Sequence, residues 1–144
     1  MIDPEMLRFL PARILVDERG FAKALLERID ALDQSGPPQL PEGEDAMVRV
    51  WHSKMLERIA RGDLEAKYRR VELLSQALEN YFKLRRLWYR GPKAGLPWLA
   101  KHDPETHTVF ARALEPQASL EDLRALVQRV LPTQKTRRAE PFVE

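Results

Sequence analysis

From Leu64 to Tyr89 the chain runs without a glycine or a proline, and its polar residues fall on one line. Glu65, Arg69, Glu72, Gln76, Glu79, Lys83 and Arg86 recur at intervals of four and three, the spacing that stacks side chains on one face of an α-helix. Opposite them stand Leu64, Tyr68, Val71, Leu74, Leu78, Tyr81, Leu84 and Trp88, flanked by Leu73, Ala77 and Phe82. The pattern predicts a helix of about 26 residues, ~39 Å long, whose broad apolar face meets more than one neighbour. That is the central helix of a bundle. Glu65–Arg69 and Glu79–Lys83 are oriented as favourable i,i+4 pairs.

Shorter elements surround it. Phe21, Leu25, Ile29 and Leu32 predict a first helix over Phe21 to Leu32, and Val48, Trp51, Met55 and Ile59 a second over Asp45 to Arg61. Gly62 suits a left-handed helix end and Asp63 caps the next start. After Gly91 and Pro92 a short helix is predicted over Lys93 to Lys101, with Pro97 tolerated only in its first turn. Asp103-Pro104 opens another, with Val109, Phe110, Ala113 and Leu114 apolar. Ser119 and Asp122 form a capping box before a last helix that turns Leu120, Leu123, Leu126, Val127 and Val130 inward and stops at Pro132. Upstream of Gly20 the apolar residues follow no helical order. Residues 12–16 (ARILV) read as strand-like or extended, and 17–20 as a turn. The expected fold is all-α: an up-and-down bundle of five or six helices over residues 20–132, an irregular N-terminal arm over 1–19 and a mobile tail over 133–144.

Composition narrows the class. At 144 residues the chain can bury a core as one domain, and the absence of cysteine excludes disulfides and thiolate metal sites. No apolar run reaches membrane-spanning length, and MIDPEMLRF lacks a signal pattern, so a cytoplasmic protein with no membrane partner is expected. The net charge is only +2, but it is unevenly placed. Between Ile29 and Val48 every charged residue is acidic; between Asn80 and His102 every one is basic. Such asymmetry speaks of partners and association.

No complete active site is legible. His52, His102 and His107 have no i,i+4 partner, and His102, Asp103, Glu105 and His107 straddle a helix start, which reads as a cap rather than a metal site. There is no nucleophile elbow, P-loop or dinucleotide fingerprint. The strongest candidate is the basic, aromatic stretch LRRLWYRGPKAGLPWL, residues 84–99. Arg85, Tyr89, Arg90, Lys93 and Trp98 gather near its bend, where cations and rings together hold phosphates or stack bases. The competing reading assigns Tyr81, Leu84 and Trp88 to the core and Lys83 and Arg86 to a solvated stripe.

YFKLRRLWYRGPKAGLPWL resembles the helix–turn–helix segment of the C-terminal helical domains of kanamycin-nucleotidyltransferase-like proteins. The matching positions are Tyr81, Phe82, Trp88, Tyr89, Gly91, Pro92, Lys93, Trp98 and Leu99. ARILVDERG is similar to the segment by which such chains leave the catalytic domain and enter the helical one, and GDLEAKYRR, Gly62 to Arg70, resembles the family in the same way, so the resemblance spans about Ala12 to Leu131. Gly95 and Pro97 depart from the smoother helix the family leads one to expect. The family's catalytic half, with its Gly-Ser turn and Asp-x-Asp pair, is missing from this sequence. The related HEPN ribonucleases carry an arginine four to six residues before a histidine, and no histidine here has one.

The resemblance implies a non-catalytic accessory or substrate-binding module that pairs with a nucleotidyltransferase domain or subunit. That partner would hold nucleotide and magnesium, and this chain would carry no cofactor of its own. The arm, with Met6, Leu7, Phe9 and Leu10 expected to stay unburied, would meet the catalytic half. Arg85, Arg90 and Lys93 would neutralise phosphate, while Tyr89 and Trp98 shape a wall. Two alternatives remain at this point: a stand-alone anion- or nucleic-acid-binding bundle using the same stretch with Lys135, Arg137 and Arg138, and a homo-oligomeric scaffold.

Overall fold

Six α-helices follow one another in the computed structural model, which describes residues 4–133: α1 (Phe21–Ser35), α2 (Glu44–Ile59), α3 (Leu64–Leu84), α4 (Pro92–His102), α5 (Pro104–Ala113) and α6 (Leu120–Val130). A 3-10 turn, Pro4–Phe9, precedes them. The fold is an all-α bundle, and no strand occurs among the described residues. The stretch expected to be strand-like, residues 12–16, is irregular and bends at Leu15. The expected tail, with Lys135, Arg137 and Arg138, lies outside the described residues.

The helix boundaries come from local chemistry. Asp63 accepts the Ala66 N–H at 2.8 Å and opens α3, while Asp103 accepts that of Thr106 at 3.2 Å and opens α5 behind Pro104. Ser119 and Asp122 close a reciprocal capping box on α6. At α1 the N-cap is Gly20, which has no side chain to offer; Asp17 reaches in instead and accepts the amides of Ala22 and Lys23.

Two expectations about α4 change. It contains Pro97 in its second turn rather than its first, which leaves the Lys93 carbonyl without its helical donor on an exposed edge. Gly95 is buried within the helix, where a Cβ would lie 3.3 Å from both the Phe82 and the Tyr89 rings.

The core is one cluster built from α2 to α6. Met55, Leu73, Ala77, Tyr81, Phe82, Leu99, Phe110, Leu123, Leu126 and Val130 are buried in it. Arg70 donates to the carbonyls of Glu115 and Ala118 ahead of α6, and Arg85 to those of Arg129 and Val130 at its end, so α3 and α6 run side by side in the same direction. Ala66 and Ala77 on α3 are buried, small enough to let neighbouring backbones come close. Leu7 is buried as well, a correction to the expected bare arm, and the 3-10 turn that carries it packs on α1. Phe9 stays about half exposed, and Leu15, Val16 and Phe21 more so.

The predicted inward face of α3 holds in its C-terminal half, where Leu78 and Tyr81 are buried, and fails in its N-terminal half. Leu64, Tyr68 and Val71 are exposed at 82, 64 and 67%, while Ala66, Leu73, Ala77 and Asn80 are buried. Apolar residues lie on more than one side of this helix, and periodicity alone did not say which side its neighbours would take. Among the described residues no helix is long and apolar enough to cross a membrane.

Candidate functional site

The basic, aromatic corner exists because α3 stops early. It ends at Leu84, five residues before the predicted end, in a Schellman turn: the Leu87 amide donates to the Phe82 carbonyl at 2.9 Å and the Arg86 amide to that of Lys83 at 3.1 Å. Arg86 occupies the left-handed position of that turn with φ 55°, a place glycine fills more readily. Leu87 and Phe82 line the same cleft, the apolar contact that accompanies the motif. Arg86 and Trp88 are therefore not on a helix. The chain from Leu87 to Gly91 turns across the end of the bundle and enters α4 at Pro92.

This turn separates the five candidate residues. Arg85 lies over the Tyr81 ring at 3.7 Å and donates to the carbonyls of Tyr81, Arg129 and Val130 at 2.9–3.1 Å. It satisfies the C-terminal end of α6, where carbonyls lack helical partners and a cation is favoured. Burial pulls its pKa down from the usual arginine value. Tyr89 faces a different space, an apolar groove of about 360 Å³ shared with Leu74, Leu78, Leu96 and Phe110. Burial, with the nearby Glu79 carboxylate second, raises its hydroxyl pKa.

Arg90 and Trp98 do come together. They line a cleft of about 290 Å³ with Asp33, Phe82, Trp88 and Gly95. Trp98 stands edge-on to Phe82 at 5.2 Å and beside His102 at 4.6 Å between centroids. Lys93, one turn away at the exposed start of α4, makes no ion pair with a described residue.

The charge asymmetry of the sequence is answered within the molecule. Arg90 pairs with Asp33, and Lys83 pairs with Glu44 rather than with the expected Glu79. Arg86 donates to the Pro37 carbonyl at 3.3 Å, and the Trp88 indole N–H to that of Asp33 at 3.1 Å. The acidic block around α1 thus lies against the basic block after α3. Of the five candidates, Lys93 alone is exposed and without an ion pair to a described residue.

Two polar features escaped sequence reasoning. Tyr81 donates its hydroxyl proton to Asp103 at 2.7 Å, and Arg129 bridges Asp103 and Glu105 at 3.8 and 2.6 Å. Burial, helped by the bond to Asp103, pushes Tyr81 up to about 12. For Asp103 burial raises the pKa, but the hydrogen bonds from Tyr81 and Thr106 and the charge of Arg129 outweigh it and hold the carboxyl below its ordinary value. This network ties α3, α5 and α6 together, and the Asp-Pro helix start was its only sequence signal. His52 is fully buried, with Nδ1 2.8 Å from the Val48 carbonyl and Nε2 without a partner, which makes the ring neutral with its proton on Nδ1. No group of three or more metal-ligating side chains occurs among the described residues.

Comparisons with models of known protein families, with curated proteins and with solved structures find no match to this chain. The geometry therefore stands alone: among the described residues, a small aromatic cleft with an ion-paired arginine inside it and a lysine without an ion pair beside it.

Proposed function

We propose that this chain is a non-catalytic helical module that pairs with a nucleotidyltransferase catalytic domain and walls part of the cleft for nucleotide or acceptor. The observation that carries the reading is the aromatic cleft between α1 and α4. Trp88 and Trp98 supply stacking surface, Lys93 an open positive charge, and Arg90 a guanidinium held in place by Asp33. Among the described residues Lys93 and the carbonyl-bound Arg86 are the cations this corner leaves without a carboxylate, too little to hold a triphosphate, so in this reading the remaining charge and the metal belong to the partner. The resemblance of residues 81–99 to the helical half of nucleotidyltransferases names the partner's class. The exposed Leu15 and Val16 of the arm give it apolar surface to meet.

The stand-alone nucleic-acid reading loses support from the internal pairs. Lys83 and Arg90 pair with carboxylates and Arg85 with carbonyls of the protein itself, which takes three cations of this region away from phosphates. The test is recovery of the tagged chain from its source cells, followed by mass spectrometry. The reading predicts a stoichiometric companion bearing a Gly-Ser turn and an Asp-x-Asp pair, still bound by a Lys93→Ala/Arg90→Ala variant that has lost affinity for nucleotide. Recovery of nucleic acid alone, or of a companion without that signature, contradicts it.

A further inference from the structure

The exposed face of α3 presents an apolar ridge that no helix among the described residues covers. Leu64, Tyr68 and Val71 recur at i, i+4 and i+7, more than 60% exposed each, and Ser75 continues the row. A groove of about 460 Å³ runs along one side, lined by Trp51, Tyr68 and Glu72. Along the other lies the apolar groove of about 360 Å³ walled by Leu74, Leu96 and Leu114. A ridge between two grooves is the surface that receives another helix, whose own ridges fill the furrows.

We infer that the helix it receives is α3 of a second copy of this chain, packed antiparallel about a two-fold axis near residues 69 and 70. That register is self-complementary in size. It sets Leu64 of each copy against Ser75 of the other, large on small, and Tyr68 against Val71, so each bulky side chain has a shorter one opposite it. An isologous contact needs this property, because the same patch must serve both sides. The extent is also sufficient. Leu64, Tyr68, Val71 and Leu114 remove roughly 100 Å² each from water, and with the polar rim and the second copy's equal share the contact reaches about the 1,000 Å² of a specific interface. The surface is separate from the cleft of Arg90 and Trp98, so the dimer does not depend on the accessory reading and leaves that site open.

The chain has no cysteine, which makes the geometry directly readable. A Leu64→Cys/Ser75→Cys double variant cannot close on itself, since the two positions are ~16 Å apart along α3 and a disulfide spans at most about 7 Å between Cα atoms. Mild oxidation is expected to give a covalent dimer on a non-reducing gel. Sedimentation of the unmodified chain is expected to show a dimer at about 100 µM, and Val71→Glu to weaken the association at least tenfold. Val71 is exposed, so circular dichroism of that variant should match the parent. A monomer at that concentration, a dimer indifferent to Val71→Glu, or a dimer that forms no crosslink overturns the inference.

Discussion

Arg85 illustrates how one side chain can look like a ligand-binding group and act as a fastener. Its guanidinium gathers carbonyls from two helices and lies on the Tyr81 ring, so truncation leaves buried acceptors unpaired. Arg85→Ala is expected to cost about 2–3 kcal/mol in urea unfolding, and Arg85→Lys to recover little of it, because an ammonium cannot reproduce the planar fork. Lys93→Ala should change stability by less than about 0.5 kcal/mol. At His52, burial holds the pKa below the ordinary 6.5. The unfolded chain takes up a proton there as pH falls through 6.5, while the folded chain remains neutral until the pH reaches its lower folded value. The stability tied to this ring is thus complete above pH 6.5 and declines below it. Thermal melts should show Tm dropping between pH 7 and 5.5 and a His52→Leu variant nearly flat over the same interval. Equal slopes for both would show that the ring does not titrate on unfolding.

Among the elements, the end of α3 decides where the basic, aromatic corner lies. Its Schellman turn places Arg86 at φ 55°, a conformation that costs an L-residue about 1–2 kcal/mol. Arg86→Gly removes that strain at some expense in unfolded-state entropy, so a net gain of up to about 1 kcal/mol is expected in chemical denaturation. At Gly95 a Cβ would press on two rings at 3.3 Å, and the branched side chain of Gly95→Val is expected to lose about 2 kcal/mol through overpacking. Helix starts were legible in the sequence because Asp63, Asp103-Pro104 and Ser119–Asp122 act on amides within three residues of themselves. The end of α3 was not, because Arg86 carries no glycine-like mark and the polar stripe continues through it. Leu64, Tyr68 and Val71 misled for another reason: periodicity identifies an apolar face but not whether a neighbour covers it.

Across the whole molecule, two blocks of opposite charge in the sequence become two faces of one contact. Asp33–Arg90 and Glu44–Lys83 join residues 57 and 39 positions apart, a pairing that composition suggests only as asymmetry. Among the described residues, the corner that read as a concentrated basic patch is left with an aromatic cleft, the open cation of Lys93 and an exposed Arg86 that bonds only a carbonyl. That outcome favours a surface completed by another protein over one that holds a polyanion unaided. Trp88 and Trp98 stand in the cleft, so intrinsic fluorescence, read in a Trp51→Phe background, reports on its occupation. The decisive measurement is a titration with a nucleoside triphosphate and magnesium, run on the chain alone and on its complex with the recovered partner. The account predicts saturable quenching in the complex, diminished by Lys93→Ala, and none for the chain alone. Saturable binding by the isolated chain, or a complex that gives no quenching, would contradict it.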